Sequence, residues 1–115
     1  MIRQRIAQGS VWRADFEAGG IRPAIVASRN ELNNGQFILV IPCFTSETRK
    51  KAAFPNNLLL NAGDGGLPQE SVAMTHLIGP IEADRLLLEY GKLDDESLTN
   101  VLHALAWTVD LFSHA

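Results

Sequence analysis

Residues 37–44 read FILVIPCF, and this stretch decides how the rest of the chain is arranged. Eight residues are too few for a typical helix, and the run is rich in branched and aromatic side chains that favour strands. Without charged or amide side chains to turn outward, it is expected to form a central strand buried on both faces. Upstream lies a second strand, Arg22–Ser28 (RPAIVAS), whose Pro23 marks an edge or a strand end because proline has no N–H for the ladder. Between the two, Asn30–Gly35 (NELNNG) is turn chemistry or one loose helical turn. Further upstream, Ser10–Phe16 (SVWRADF) alternates, with Val11, Arg13 and Asp15 on one side and Trp12, Ala14 and Phe16 on the other. Gly19-Gly20 supplies the turn out of it.

Downstream, Thr45–Lys51 is a polar, basic loop. Asn57–Leu60 is a short strand, Gly63–Pro68 (GDGGLP) a loop, and Ser71–Ile78 (SVAMTHLI) a further strand that carries His76 and ends at Gly79-Pro80. The period then changes. Leu98, Val101, Leu102, Leu105, Ala106, Val109 and Phe112 recur at three- and four-residue steps, one apolar stripe of a helix that is expected to bury Trp107 as well. Asp94 is the expected N-cap, Asp95 and Glu96 suit the positive end of the helix dipole, and Leu93 with Leu98 has the placement of a hydrophobic staple. Short strands followed by one amphipathic helix make an α+β domain, a small curved antiparallel sheet or barrel.

With 115 residues, 46% of them hydrophobic, and no repeat or Pro/Ser-rich linker, the chain is expected to be a single domain over residues 1–115. One cysteine, Cys43, excludes an internal disulfide and a CxxC metal or redox pair. No apolar run approaches the roughly 20 residues of a membrane helix, and the basic N-terminus MIRQRIAQGS lacks the apolar centre of a signal peptide. A soluble, cytoplasmic protein with no membrane partner is expected. The net charge of −3 argues against a generic nucleic-acid binder, yet its distribution is uneven: residues 1–51 balance at +4 and residues 52–115 at −7.

Common catalytic templates are missing. There is no GxxxxGK[ST] loop, HExxH, GxSxG or Cys/His cluster, so no metal site and no cofactor is expected. His103 and His114 read as surface or boundary residues, and Cys43, inside FILVIPCF, as a small buried hydrophobe. What remains are polar groups at strand ends: Arg22 before PAIVAS, and Thr45 and Ser46 after FILVIPCF. An arginine beside two hydroxyls can bind phosphate, because the guanidinium fork matches two phosphate oxygens at once.

In its ordered features the sequence resembles the PemK/MazF/Kid family of small toxins, sequence-selective endoribonucleases of bacterial toxin–antitoxin systems. The resemblance runs from about Gly9 to Leu111. It rests on the G-x-V-W opening (Gly9, Val11, Trp12), Asp15-Phe16, GGIRPAIVAS (Gly19–Ser28) and Asn33-Asn34. It continues through FILVIPCFTS (Phe37–Ser46), SVAM (Ser71–Met74) and GKLDDESLTNVLHAL (Gly91–Leu105).

The resemblance implies an SH3-like antiparallel barrel with a C-terminal helix, assembled as a homodimer. It implies single-stranded RNA as substrate and an antitoxin partner whose extended acidic tail occupies the RNA groove. Arg22 and Thr45 match the family's catalytic pair, with Gly20, Ser46, His76, Arg49 and Lys50 around the RNA. The implied reaction is metal-independent: the ribose 2′-hydroxyl attacks phosphorus, leaving a 2′,3′-cyclic phosphate and a 5′-hydroxyl. The chain departs from the family pattern in the short Glu17-Ala18 link, in Met74, His76, Leu77 and Gly79, in Ser10 and in Glu47. These departures keep open an alternative, a catalytically lapsed barrel that binds a protein or peptide.

Overall fold

The computed structural model describes residues 5–113 and contains seven strands, two α-helices and several single 3-10 turns. The strands are β1 (Ser10–Asp15), β2 (Ile21–Val26), β3 (Phe37–Phe44), β4 (Asn57–Leu60), β5 (Ser71–Met74), β6 (Gly79–Glu82) and β7 (Leu86–Lys92). The helices are α1 (Thr48–Lys51) and α2 (Asp95–Thr108). Strand order is β4-β5-β3-β2-β1-β7, with β6 also on β3, and every pairing is antiparallel. This is the expected α+β architecture, but the sheet is not closed into a barrel, because β4 and β7 end the path without pairing.

β3 organises the sheet and is its central strand, but it is not buried on both faces throughout: Phe37 and Leu39, expected inside, are 56% and 40% exposed, because the first half of the strand has a core on one side only. One edge pairs with β2 from Val40 to Pro42. The other edge changes partner: Phe37–Val40 pair with β6, and Cys43 and Phe44 pair with β5. Pro42, with no N–H to donate, falls in the gap between those partners, where a missing bond costs the ladder nothing. The switch gives the sheet two cores. Trp12, Ala14, Ala24, Val26, Ile38 and Val40 pack in one cluster, while Val11, Ile25, Ile41, Cys43, Leu93 and Val101 pack in the other. Successive residues of β1 and β2 thus point to opposite cores, the period-2 alternation of a strand made visible.

α2 covers the second core. Asp94 caps it, its carboxylate accepting from the Ser97 amide at 2.7 Å, and that bond holds the carboxyl below its ordinary 3.8. Leu93 and Leu98 join the same core cluster, as a staple would place them. Along the expected stripe, burial fades toward the C-terminus: Val101 is fully buried, whereas Val109 is 62% exposed. Trp107, expected inside, is 57% exposed, because it follows Ala106 on the outer side of a helix that only one core face covers.

Three further expectations need correction. The strand from Ser71 stops at Met74, and Thr75–Leu77 form a 3-10 turn, so His76 is an exposed turn residue. Gly79-Pro80 opens β6 instead of ending a strand; Pro80 is tolerated there because β6 pairs only with β3. The basic loop contains α1, entered through Glu47 in the left-handed region (φ 50°) and closed by Lys51 N–H donating to the Glu47 carbonyl at 3.0 Å. His103 is exposed as expected, and His114 lies outside the described residues. No helix among the described residues is long and apolar enough to cross a membrane.

Candidate active site

β2 and β3 stay paired only as far as Ala24 and Pro42. Beyond that pair β2 continues alone on β1 through Ile21–Pro23, while β3 turns to β5. The strands splay, and a cleft of about 260 Å³ opens between them. Ile21, Arg22 and Pro23 line one side, and Cys43 and Thr45 the other. Arg13 and Tyr90, from β1 and β7, complete it with Pro68 and Gln69 of the β4–β5 loop. Arg22 and Thr45, 23 positions apart in the chain, therefore share one open cavity.

The Arg22 side chain is oriented from two directions. Its Nε and Nη2 donate to the Gly19 carbonyl at 3.1 and 2.5 Å, and its Cζ lies 4.4 Å from the centroid of the Phe44 ring. Guanidinium has five N–H donors, so the group keeps donors for a ligand while its position is held. Gly20 makes this possible. At φ +84° it turns the chain back from the Glu17–Gly19 turn, a conformation side-chain-bearing residues resist. Its own N–H and carbonyl are spent on Glu17 and Phe16 in closing that turn. Arg85 anchors the turn from outside through ion pairs with Asp15, at 3.6 Å, and with Glu17.

The other expected residues fall around this cleft unequally. Thr45 and Ser46 are exposed directly after β3, and Ser46 Oγ accepts from Lys51 Nζ at 3.3 Å. Arg49 is diverted to Glu70, at 3.2 Å, and Glu70 also accepts from Thr48 Oγ1 at 2.5 Å. Lys50 is exposed on α1. His76 does not line the Arg22–Thr45 cleft. It borders a second cavity of about 400 Å³ together with Lys51, whose Nζ is also 5.2 Å from the Phe44 ring centroid. Lys51 thus stands between the two cavities.

Cys43 borders the cleft with its side chain fully buried, and desolvation pushes its thiol from 9.0 up to about 12. It stays a neutral thiol near pH 7 and is no nucleophile. No three His, Cys, Asp or Glu side chains among the described residues cluster so as to hold a metal ion.

Sequence reasoning did not anticipate Arg13, Tyr90 and Gln69 in the lining of the cleft. Only Arg13 carried a signal: it shares a strand side with the buried Val11, where an apolar residue would be the default.

Comparison with known proteins points in one direction. The family described as PemK-like, MazF-like toxin of type II toxin–antitoxin systems matches residues 7–109. Endoribonuclease MazF9 of Mycobacterium tuberculosis is 29% identical, over 92% of this chain and 98% of its own length. Endoribonuclease EndoA of Bacillus subtilis is 28% identical, over 87% and 90%. Among solved structures, a mycobacterial endoribonuclease in complex with its cognate antitoxin superposes with a TM-score of 0.78 at 20% identity, covering 92% of this chain and 96% of that one.

Proposed function

The chain belongs to the PemK-like, MazF-like toxins of type II toxin–antitoxin systems, and from that premise we propose that it is a metal-independent endoribonuclease acting on single-stranded RNA in the cytoplasm. The observation that carries this reading is the single cleft shared by Arg22 and Thr45. In the proposed reaction the ribose 2′-oxygen forms a bond to the adjacent phosphorus as the P–O5′ bond breaks. The 2′-hydroxyl proton leaves to solvent and the departing 5′-oxygen takes a proton from a solvent water, giving a 2′,3′-cyclic phosphate and a 5′-hydroxyl. Arg22 is the catalytic cation. Its fork neutralises charge that builds on the phosphoryl oxygens and donates toward the leaving oxygen, and as a permanently charged group it is no general base. The Thr45 hydroxyl orients the 2′-hydroxyl against phosphorus.

Ser46 and Lys50 provide polar and positive groups where the RNA leaves the cleft, and Gly20 contributes by shape, through the turn that aims Arg22. Arg49 reaches phosphate by exchanging Glu70 for it, and His76 contacts the strand in the second cavity.

The toxin acts as a homodimer and is silenced by an antitoxin with an extended acidic tail. Large apolar side chains left in solvent support a dimer: Leu32, Phe37 and Leu39 are 62%, 56% and 40% exposed around one groove of about 480 Å³. The basic side chains of the cleft, Arg13 and Arg22, with Lys51 nearby on the Phe44 ring, suit an acidic tail as well as they suit RNA.

The test is incubation of purified protein with a mixed RNA in excess EDTA. Cleavage should persist, and Arg22→Ala should lower the rate about 10²–10³-fold, the cost of removing one preorganised transition-state donor. Arg22→Lys should rescue little, because a point charge does not reproduce the fork. Intact RNA with the unaltered protein, or undiminished cleavage by Arg22→Ala, overturns the reading.

A further inference from the structure

The Arg22 guanidinium is aimed by one carbonyl, that of Gly19, and what fixes that carbonyl lies behind the cleft. The Glu17–Gly19 turn is short and strained. Glu17 stands in the left-handed region at φ 59°, where side-chain-bearing residues sit only at a cost, and Gly20 follows at φ 84°. Phe16 N–H donates to the Gly20 carbonyl at 2.9 Å, Gly19 N–H to that of Phe16 at 3.0 Å, and Gly20 N–H to that of Glu17 at 2.9 Å. These three bonds close the turn on itself; none of them ties it to the body of the sheet.

Arg85 does. It ends the Ala83–Arg85 turn between two buried residues of the first core, Ala83 and Leu86. Ala83 N–H donates to the Gln36 carbonyl at 2.8 Å, and Leu86 stands opposite Ala14 in the β7–β1 register. With its backbone fixed in this way, the partly buried Arg85 side chain reaches two carboxylates, one with each terminal nitrogen. Nη1 lies 3.6 Å from Asp15 Oδ2, and Nη2 pairs with Glu17 Oε1. The other Asp15 oxygen accepts from Glu17 N–H at 2.8 Å. Arg85 lines a cavity of about 210 Å³ with Asp15, Phe16 and Glu17, and it does not line the Arg22–Thr45 cleft. It therefore acts on the site through the turn and not on the substrate. Without this cation, Asp15 and Glu17 would face each other as like charges, and the strained turn would lose the contact that offsets it. Arg22 would keep its charge and lose its aim.

Resting on the nuclease reading above, we propose that Arg85 is a positioning residue for the reaction: it holds the Glu17–Gly19 turn whose carbonyl directs Arg22 at the scissile phosphate.

The first measure is cleavage of a single-stranded RNA that the unaltered protein cuts. Arg85→Gln should lower kcat about 5- to 50-fold, a share of the loss that removing Arg22 itself causes. Glu17→Gln, which leaves the Asp15 contact in place, should act in the same direction and by less. KM should stay within about twofold, because Arg22 meets charge that develops only in the transition state. Arg85→Lys should recover part of the rate, since an ammonium serves one carboxylate where the fork serves two. Added to Arg22→Ala, Arg85→Gln should leave the residual rate within about twofold, there being no guanidinium left to aim. Melting points should stay within a few degrees of the original, since the pairs are open to solvent. The second measure needs no turnover. It is hydrogen exchange at Arg22 Nε–H, followed by NMR on isotope-labelled protein, with the signal identified by its loss in Arg22→Lys. Arg85→Gln should speed that exchange about fivefold or more, as the Gly19 carbonyl ceases to hold the proton.

Arg85→Gln with kcat within about twofold of the original overturns the proposal. So does a loss confined to KM, the mark of a phosphate contact, or an equal loss in the original and Arg22→Ala backgrounds, the mark of a general structural role. If the unaltered protein cuts no RNA, the nuclease reading fails by itself. Exchange at Arg22 Nε–H then decides the rest: faster exchange in Arg85→Gln sustains the positioning of Arg22 by Arg85, and unchanged exchange overturns it.

Discussion

Arg22 and Cys43 border the same cleft and behave in opposite ways, and the difference lies in what surrounds each. The guanidinium of Arg22 has a carbonyl and an aromatic face to hold it and open space beyond. Cys43 is wrapped by the second core, with no polar partner for an anion. The sign of the resulting pH dependence follows directly. Below pH 9 the thiol is protonated whether the chain is folded or unfolded, and it contributes no slope. Between 9.0 and about 12 the unfolded chain releases the proton while the folded chain keeps it, so stability falls as pH rises. Denaturation midpoints measured across that window should decline less steeply in Cys43→Ala than in the original. The thiol should also resist alkylation at pH 8 until denaturant is added. Prompt alkylation of the native protein would contradict the burial.

At the scale of elements, the cleft depends on how β7 is held against the β4–β5 loop, since Tyr90 comes from one and Pro68 and Gln69 from the other. Glycines make the contact. A Cβ on Gly66, already at φ +77°, would meet the Tyr90 carbonyl oxygen at 2.2 Å, and one on Gly91 would meet the Gly65 carbonyl at 2.8 Å. Gly66→Ala should therefore cost about 1–3 kcal/mol through strain and overpacking, a melting-point drop of roughly 5–20 °C. Gly63→Ala is the control. It shares the positive φ but has open space around it, so it should cost distinctly less. Equal losses in the two variants would refute the close approach.

The sequence pattern disclosed β1 and α2 through side-chain periods that match their burial, and β2, β3 and β4 through short runs of strand-forming apolar residues, although β3 leaves Phe37 and Leu39 outside. It concealed β7, where register shifts against β1 between Val11 and Trp12 and again between Arg13 and Ala14 break the alternation, and where LLLE is a helix-former's sequence. It concealed β6 because Gly-Pro is ordinarily a stop. The Arg22–Thr45 half of the site was readable as strand-end polar groups. His76 was named only through the family resemblance, and its contact with Asn56, 20 positions away, leaves no period in the sequence.

For the whole molecule, the question is what covers the apolar groove beside β3 and β6. Phe37 and Leu39 alternate outward along β3 while Ile38 and Val40 point into the first core, so folding of the single chain does not hide them. A toxin subunit with that face bare would gain by pairing it with its own copy, the commonest closed assembly being a two-fold dimer. Phe37→Lys tests this without breaking the sheet. Phe37 sits opposite Glu82 in the β3–β6 register, so the new ammonium meets a carboxylate instead of a like charge. The original protein should sediment as a dimer at micromolar concentration, and Phe37→Lys should sediment as a folded monomer. Its melting point should fall by no more than the lost association explains, and by more at low protein concentration than at high, because dimer stability depends on concentration and monomer stability does not. A monomeric original removes the dimer. A dimeric Phe37→Lys moves the interface off this groove, and the exposed apolar end of α2, with Trp107 and Val109, becomes the face to test in its place.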